Sequence, residues 1–332
     1  MVRHRRKPVL FVIALLGVLA AVFAVPGVIS AQGAVDPSVA PRAASLERDG
    51  DWRAATEMLG SYLATAPSDG QAWFQFGRMY LIAAQEWHHT GHQGQPDGLL
   101  YLDLAAIAFD YAMDLQVDSG FVYRGAVEME RGLVLMEQVG WAALRSSRAA
   151  PVAPTAPAFV LELGANLLSS CPQGGVLVPG SELESLASWL ASVALNRRGD
   201  IFPVLPERLH TDSLYLREAL SALGEDSSVS PDEALARAAT HRTLCLTPFA
   251  DSMIVSGRPW VVTRLVRVTG PDTAATADPL SVTELLRVAR LRSSPWTREV
   301  EIVYLEAARR NVRLCGGLLA YLGDPAASAC GP

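Results

Sequence analysis

Lysine is almost missing from this chain. Lys7 is the single one in 332 residues, so nearly every cation is an arginine. A bias toward GC-rich codons produces this without functional demand, and no arginine is read as a ligand on composition alone. Basic charge is scarce as well: the formal net is −6, and setting aside the four basic residues Arg3, Arg5, Arg6 and Lys7 takes it to −10. Such a body lacks the basic stripe that phosphate recognition needs, which excludes nucleic acid as the expected partner. Cysteine is limited to Cys171, Cys245, Cys315 and Cys330, with no C-x-x-C pair, which argues against a zinc ribbon or a thioredoxin-like site. No cofactor is implied.

The long apolar run that is present lies at the start. Arg3-His4-Arg5-Arg6-Lys7 is followed by an apolar stretch from Val9 to Ile29. A basic head before such a run reads as an export signal or a membrane anchor. Ile29-Ser30-Ala31 offers a small-residue cleavage site, which would leave a secreted body, but the run approaches the ~20 residues that span a bilayer. Residues 1–31 are therefore read as a single-pass anchor with its N-terminus inside and everything after Ala31 outside the cytoplasm. In an oxidising compartment four cysteines allow three connectivities. Cys315–Cys330 is the favoured pair, with free buried thiols as the alternative.

Residues 32–42 form a small-residue linker. After it, Trp73-x-x-Phe76-Gly77-x-x-Tyr80 puts three aromatics at i, i+3 and i+7 on one helix face, with Gly77 where a partner helix must come close. Ala55-x-x-x-Leu59-x-x-Tyr62 with Pro67 precedes it, and Ala105-x-x-x-Phe109-x-x-Ala112 follows. This pattern resembles the tetratricopeptide repeat, a helix–turn–helix unit of roughly 34 residues, over residues 43–132. The resemblance implies a helical binding or scaffold domain over 43–145 with a groove faced by Phe74, Arg78, Leu81, Met129 and Glu130. Its partners would be other envelope proteins or peptides.

Between Tyr80 and Ala105 the repeat is interrupted by an insertion of about 16 residues, and insertions in repeat proteins map to loops on one face. Glu86, His89 and His92 within it could converge on a metal, since imidazole suits zinc, copper or nickel, although the spacing matches no standard motif. Residues 146–157, rich in alanine and proline, read as a second linker.

Residues 158–332 alternate differently. Short apolar strands are expected at 175–178, 201–205, 242–247 and 260–269, interleaved with helices and closed by C-terminal helices over 281–292 and 295–322. Gly180, Ser181 and Glu182 form a turn after the first strand, where a helix N-terminus at the carboxyl end of a parallel strand could receive an anion or a sugar hydroxyl. No G-x-G-x-x-G, P-loop or G-x-S-x-G surrounds it, and Ser181 with Glu184 spells a capping box. Asp212, His210, Asp251 and His241 share no catalytic spacing. The order of elements over 174–324 resembles the soluble C-terminal region of the protein O-mannosyltransferase-like membrane family. The multispanning catalytic half is missing, so the resemblance implies an extracytoplasmic accessory module and not glycosyl transfer.

The expected fold class is thus α+β and multidomain: an N-terminal membrane helix, a tetratricopeptide-like helical domain, and a small α/β domain with C-terminal helices. The expected function is a membrane-anchored, extracytoplasmic binding or scaffold protein. The alternative is an accessory or degenerate enzyme of envelope glycan metabolism at the Gly180–Glu182 turn.

Overall fold

The computed structural model describes residues 34–89, 96–146, 156–255, 257–270, 280–291, 294–311, 313–315, 318 and 330. The expected anchor, residues 1–31, lies outside them, as do His92 and residues 147–155 of the second linker. Among the described residues no helix is long and apolar enough to cross a membrane. The described chain is mostly helical with one small mixed sheet, an α+β fold.

Helices α1 (Val39–Arg48), α2 (Trp52–Leu63), α3 (Gly70–His89), α4 (Pro96–Asp114) and α5 (Asp118–Val139) pack as successive hairpins, followed by the short α6 (Trp141–Ser146). The aromatic spacing explains the packing of α3. Trp73, Phe76 and Tyr80 are all buried. The Trp73 ring stacks on Tyr111 of α4 with centroids 4.5 Å apart, and its indole Nε1 donates to the Pro67 carbonyl at 2.9 Å. That hydrogen bond ties the proline before the helix to the tryptophan inside it. A Cβ at Gly77 would lie 2.8 Å from the Phe109 ring, so only glycine lets α3 and α4 approach this closely. Ala55, Ala105 and Ala112 are fully buried at the other helix contacts.

At the insertion, residues 86–89 extend α3 to His89 and Pro96 starts α4, giving helices of 20 and 19 residues, and residues 90–95 lie outside the described residues.

The second half is layered. α7 (Ala158–Ser170) leads to β1 (Val176–Val178), then α8 (Glu182–Val193), β2 (Phe202–Pro203), α9 (Pro206–Thr211), α10 (Ser213–Leu223), α11 (Pro231–His241) and β3 (Leu244–Leu246). The expected fourth strand is instead a hairpin of β4 (Val261–Thr263) and β5 (Val266–Thr269). Arg264 turns it with φ of 49°, and the Arg264 carbonyl accepts from Asn311 Nδ2 at 3.1 Å. Sheet order is β2-β1-β3-β5-β4, with β2, β1 and β3 parallel and the hairpin antiparallel. α12 (Thr283–Leu291) and α13 (Pro295–Arg310) follow; the expected helix 295–322 is interrupted at Asn311, and residues 313–315 and 318 are helical again.

Alternation along the strands sorts the core. Leu177, Cys245 and Val268 face α7, α12 and α13, whereas Val176, Val178, Leu244 and Leu246 face α10 and α11. There are two disulfides: Cys171–Cys245 links the residue after α7 to the middle of β3, and Cys315–Cys330 joins two residues that follow α13.

α8 is the shared wall of the two halves. Leu186 and Leu190 enter the core of the hairpins, while Ala187 and Ala191 lie against α7. A Cβ at Gly164 would fall 1.9 Å from the Ala187 carbonyl oxygen. Trp189 sits over Gly132 of α5 and shares a cluster with Leu133 and Met136.

Candidate functional site

The residues expected to face a repeat groove do not line one. Leu81 and Glu130 are buried, Phe74 packs edge-on to Tyr123 and against Phe109, and Met129 is partly buried between the two cores. Arg78 is held by Glu47 at 3.0 Å. The reason is that α8 and α13 pack where the expected groove would open, so the groove register points into protein.

Glu130 anchors a buried polar cluster at the joint between the halves. Gln85 Nε2 donates to Glu130 Oε1 at 2.7 Å, Arg208 Nη2 donates to the same oxygen, and His88 Nδ1 lies 4.0 Å from Oε2. Arg208 also donates through Nη1 to His89 Nε2 at 3.0 Å and stands 3.7 Å from Asp212 Oδ2. Asp212 is the cap of α10, its Oδ1 accepting from Leu214 N and Tyr215 N. Glu137, two turns along α5 from Glu130, completes the group. Burial, reinforced by the Asp212 charge, pushes its carboxyl up to about 8. At neutral pH it therefore carries a proton, which it shares with Asp212. Burial also lowers both His88 and His89, keeping them neutral.

This arrangement does not suit a metal. Arginine only donates, so His89 Nε2 spends its lone pair on Arg208. Glu86 is exposed on the last turns of α3, and His92 lies outside the described residues. No group of three or more potential ligands gathers among the described residues. Buried ion pairs of this kind cost desolvation and serve best to fix one register. Here the register fixed is that of α3 and α5 against α9 and α10.

At the Gly180 turn the protein fills the position a ligand would take. Ser181 Oγ caps α8 by accepting from Glu184 N at 3.2 Å. Glu184 does not close the expected capping box. Its buried carboxylate instead accepts from Gly180 N at 3.0 Å and from Thr247 Oγ1 at 2.7 Å, bridging the ends of β1 and β3. A Cβ at Gly180 would meet the 249–250 backbone at 2.0 Å. Asp200 is at the opposite end of β1, bound to Arg198 and Gly174 N. His210 stands 3.6 Å from Asp232, His241 is 3.8 Å from Glu225, and Asp251 accepts from Met253 N, so those four groups are not brought together.

An open concavity does exist one turn away. Val122, Tyr123 and Ala126 of α5, Glu182 and Leu186 of α8, and Trp296 of α13 line a shallow, solvent-open cleft. Tyr123 and Trp296 meet edge to face at 6.1 Å, and Trp296 Nε1 donates to Ser119 Oγ at 3.1 Å. Burial raises the Glu182 carboxyl, as do the nearby charges of Glu207 and Glu299.

Sequence reasoning missed Glu137 and Arg208 of the buried cluster, and Tyr123 and Trp296 of the cleft. Glu130 and Glu137 at i, i+7 on one face of α5 were the available signal for the cluster. The cleft joins residues 122 and 296, and no local pattern connects them. Compared with known proteins, the chain matches no family model, no curated protein and no solved structure.

Proposed function

We propose that this chain is an extracytoplasmic binding or scaffold protein, with tetratricopeptide-type hairpins braced on an α/β body and an N-terminal segment that anchors it in the membrane. One observation carries the preference for binding over catalysis. The carboxyl end of the parallel strands, where α/β enzymes place their ligands, is closed by Glu184 and by the backbone packed on Gly180. The cleft between α5, α8 and α13 remains open instead. The two disulfides support a location outside the reducing cytoplasm. Close packing of Gly77 on Phe109 and the Trp73–Pro67 bond support the repeat resemblance.

Proximity labelling tests this reading. The full chain fused to a labelling enzyme, expressed in its native envelope, is expected to mark a defined set of envelope proteins. A control carrying only residues 1–42 before the same enzyme sets the background. Equal labelling by chain and control would refute a binding role for the body.

A further inference from the structure

We propose that the cleft bounded by Tyr123, Trp296 and Glu182 receives a basic side chain, arginine or lysine, from a partner polypeptide. This rests on the binding reading and names the chemistry that the partner must present. The floor of the cleft is apolar, made by Val122, Ala126 and Leu186, and it suits the methylene stem of a long side chain. The aromatic pair forms one wall, and a cation over a tryptophan or tyrosine face gains attraction from the ring. Its edge is acidic: Glu182 lines the cleft, and the charges of Glu207 and Glu299 reach Glu182, that of Glu299 reaching Tyr123 as well. All three are exposed, and among the described residues no arginine forms an ion pair with any of them.

That deficit is local. On the neighbouring surface of α5, Arg124 pairs with Asp110 and Glu128, and Arg131 pairs with Asp103 and Glu128. Arg78, the cation whose charge reaches Tyr123, is already engaged by Glu47 at 3.0 Å. Among the described residues, the carboxylates of Asp103, Asp110 and Glu128 on α4 and α5 are thus paired with arginine, while Glu182 and its two acidic neighbours are not. Glu182 raised by burial and by its acidic neighbours is the electrostatic counterpart of this geometry. A guanidinium or ammonium group placed among the three would relieve their mutual repulsion.

The test uses the full chain in mild detergent and three dye-labelled peptides read by fluorescence anisotropy. These are acetyl-Gly-Arg-Leu-Arg-Gly-amide and its counterparts with glutamine or glutamate in place of arginine. The arginine peptide is expected to bind, and the other two to bind about tenfold more weakly or worse, as one cation–π contact with partly exposed ion pairs allows. The double variant Glu182→Gln, Glu299→Gln should lose about the same factor for the arginine peptide. Both side chains reach solvent, and relief of the repulsion at Glu182 should leave the melting temperature of the double variant no lower than that of the wild type, so a folding defect is separable from lost recognition. Equal binding of arginine and glutamine peptides, undiminished binding by the double variant, or no binding of any peptide each overturns the proposal. Proximity labelling by the double variant separates the two levels of failure: partners retained in full leave the binding role standing and remove the cleft from it.

Discussion

Removing one proton from the joint between the halves should loosen the whole fold. Glu137 titrates near 8 in the folded chain, against 4.5 for an ordinary glutamate. The folded state therefore holds this proton more tightly than the unfolded state does. The stability it contributes is complete below about pH 4.5 and is lost as pH rises through about 8. At one and a third kcal/mol per unit, a dry site would lose about 5 kcal/mol. Glu137 is only half-buried, and solvent screening reduces this to ~1–2 kcal/mol, or a melting temperature lower by about 1–3 °C for a chain of this size. Deprotonation sets Glu137 against Asp212 and Glu130, with Arg208 as the cation between them. His88 and His89, held neutral by burial, act in the opposite direction below about pH 6.5 and must be separated from Glu137. Melting curves of wild type and Glu137→Gln across about pH 5 to 9 achieve this, because the histidines cancel in the difference. The difference in stability between wild type and variant should fall as pH rises from about 4.5 to about 8 and be flat above that. A difference curve that is flat with pH would refute the shared-proton account.

Other perturbations address other contacts. Glu130→Gln strips the charge from the buried carboxylate that receives Arg208 and should cost about 3 kcal/mol in urea unfolding; a change within ±0.5 kcal/mol would show that the cluster is hydrated. Gly77→Ala gains ~1 kcal/mol of helix propensity but drives a methyl into Phe109, for a net loss of ~1–2 kcal/mol; net stabilisation would mean that the helices can part without cost. The Cys171–Cys245 bridge spans 74 residues and Cys315–Cys330 spans 15. Chain entropy then gives losses of about 4 and 3 kcal/mol when each pair is replaced by alanine, the larger at the sheet, checked by chemical denaturation.

How much of this was legible in the sequence depended on whether the signal was local. The Trp73 spacing announced both the buried face of α3 and the close approach at Gly77, because period and glycine act within one turn of helix. Ser181 marked a helix start that is present. The strand expected over 260–269 broke at Arg264, since a two-residue turn without glycine or asparagine carries no composition signal. The groove assignment failed for a tertiary reason: α8 and α13, over fifty residues downstream, occupy the face that the repeat pattern leaves open. Glu184 illustrates the same limit. Its spacing from Ser181 spelled a capping box, yet Thr247 at 63 residues' separation draws the carboxylate across the sheet.

The position of α8 has a consequence for synthesis. A chain made from its N-terminus completes α1 to α5 well before Leu186, Trp189 and Leu190 exist to cover them. The newly emerged hairpins must hold an uncovered apolar flank on α5 while roughly fifty more residues follow, a few seconds at ordinary elongation rates. During that interval they are exposed to chaperones, proteases and one another. Docking of α8 ends that exposure, and Glu130 meets Arg208 only once the chain has extended past α9. The cluster at the joint then acts as a checkpoint on assembly: correctly placed halves gain it, and misregistered halves leave a carboxylate and a guanidinium buried without each other.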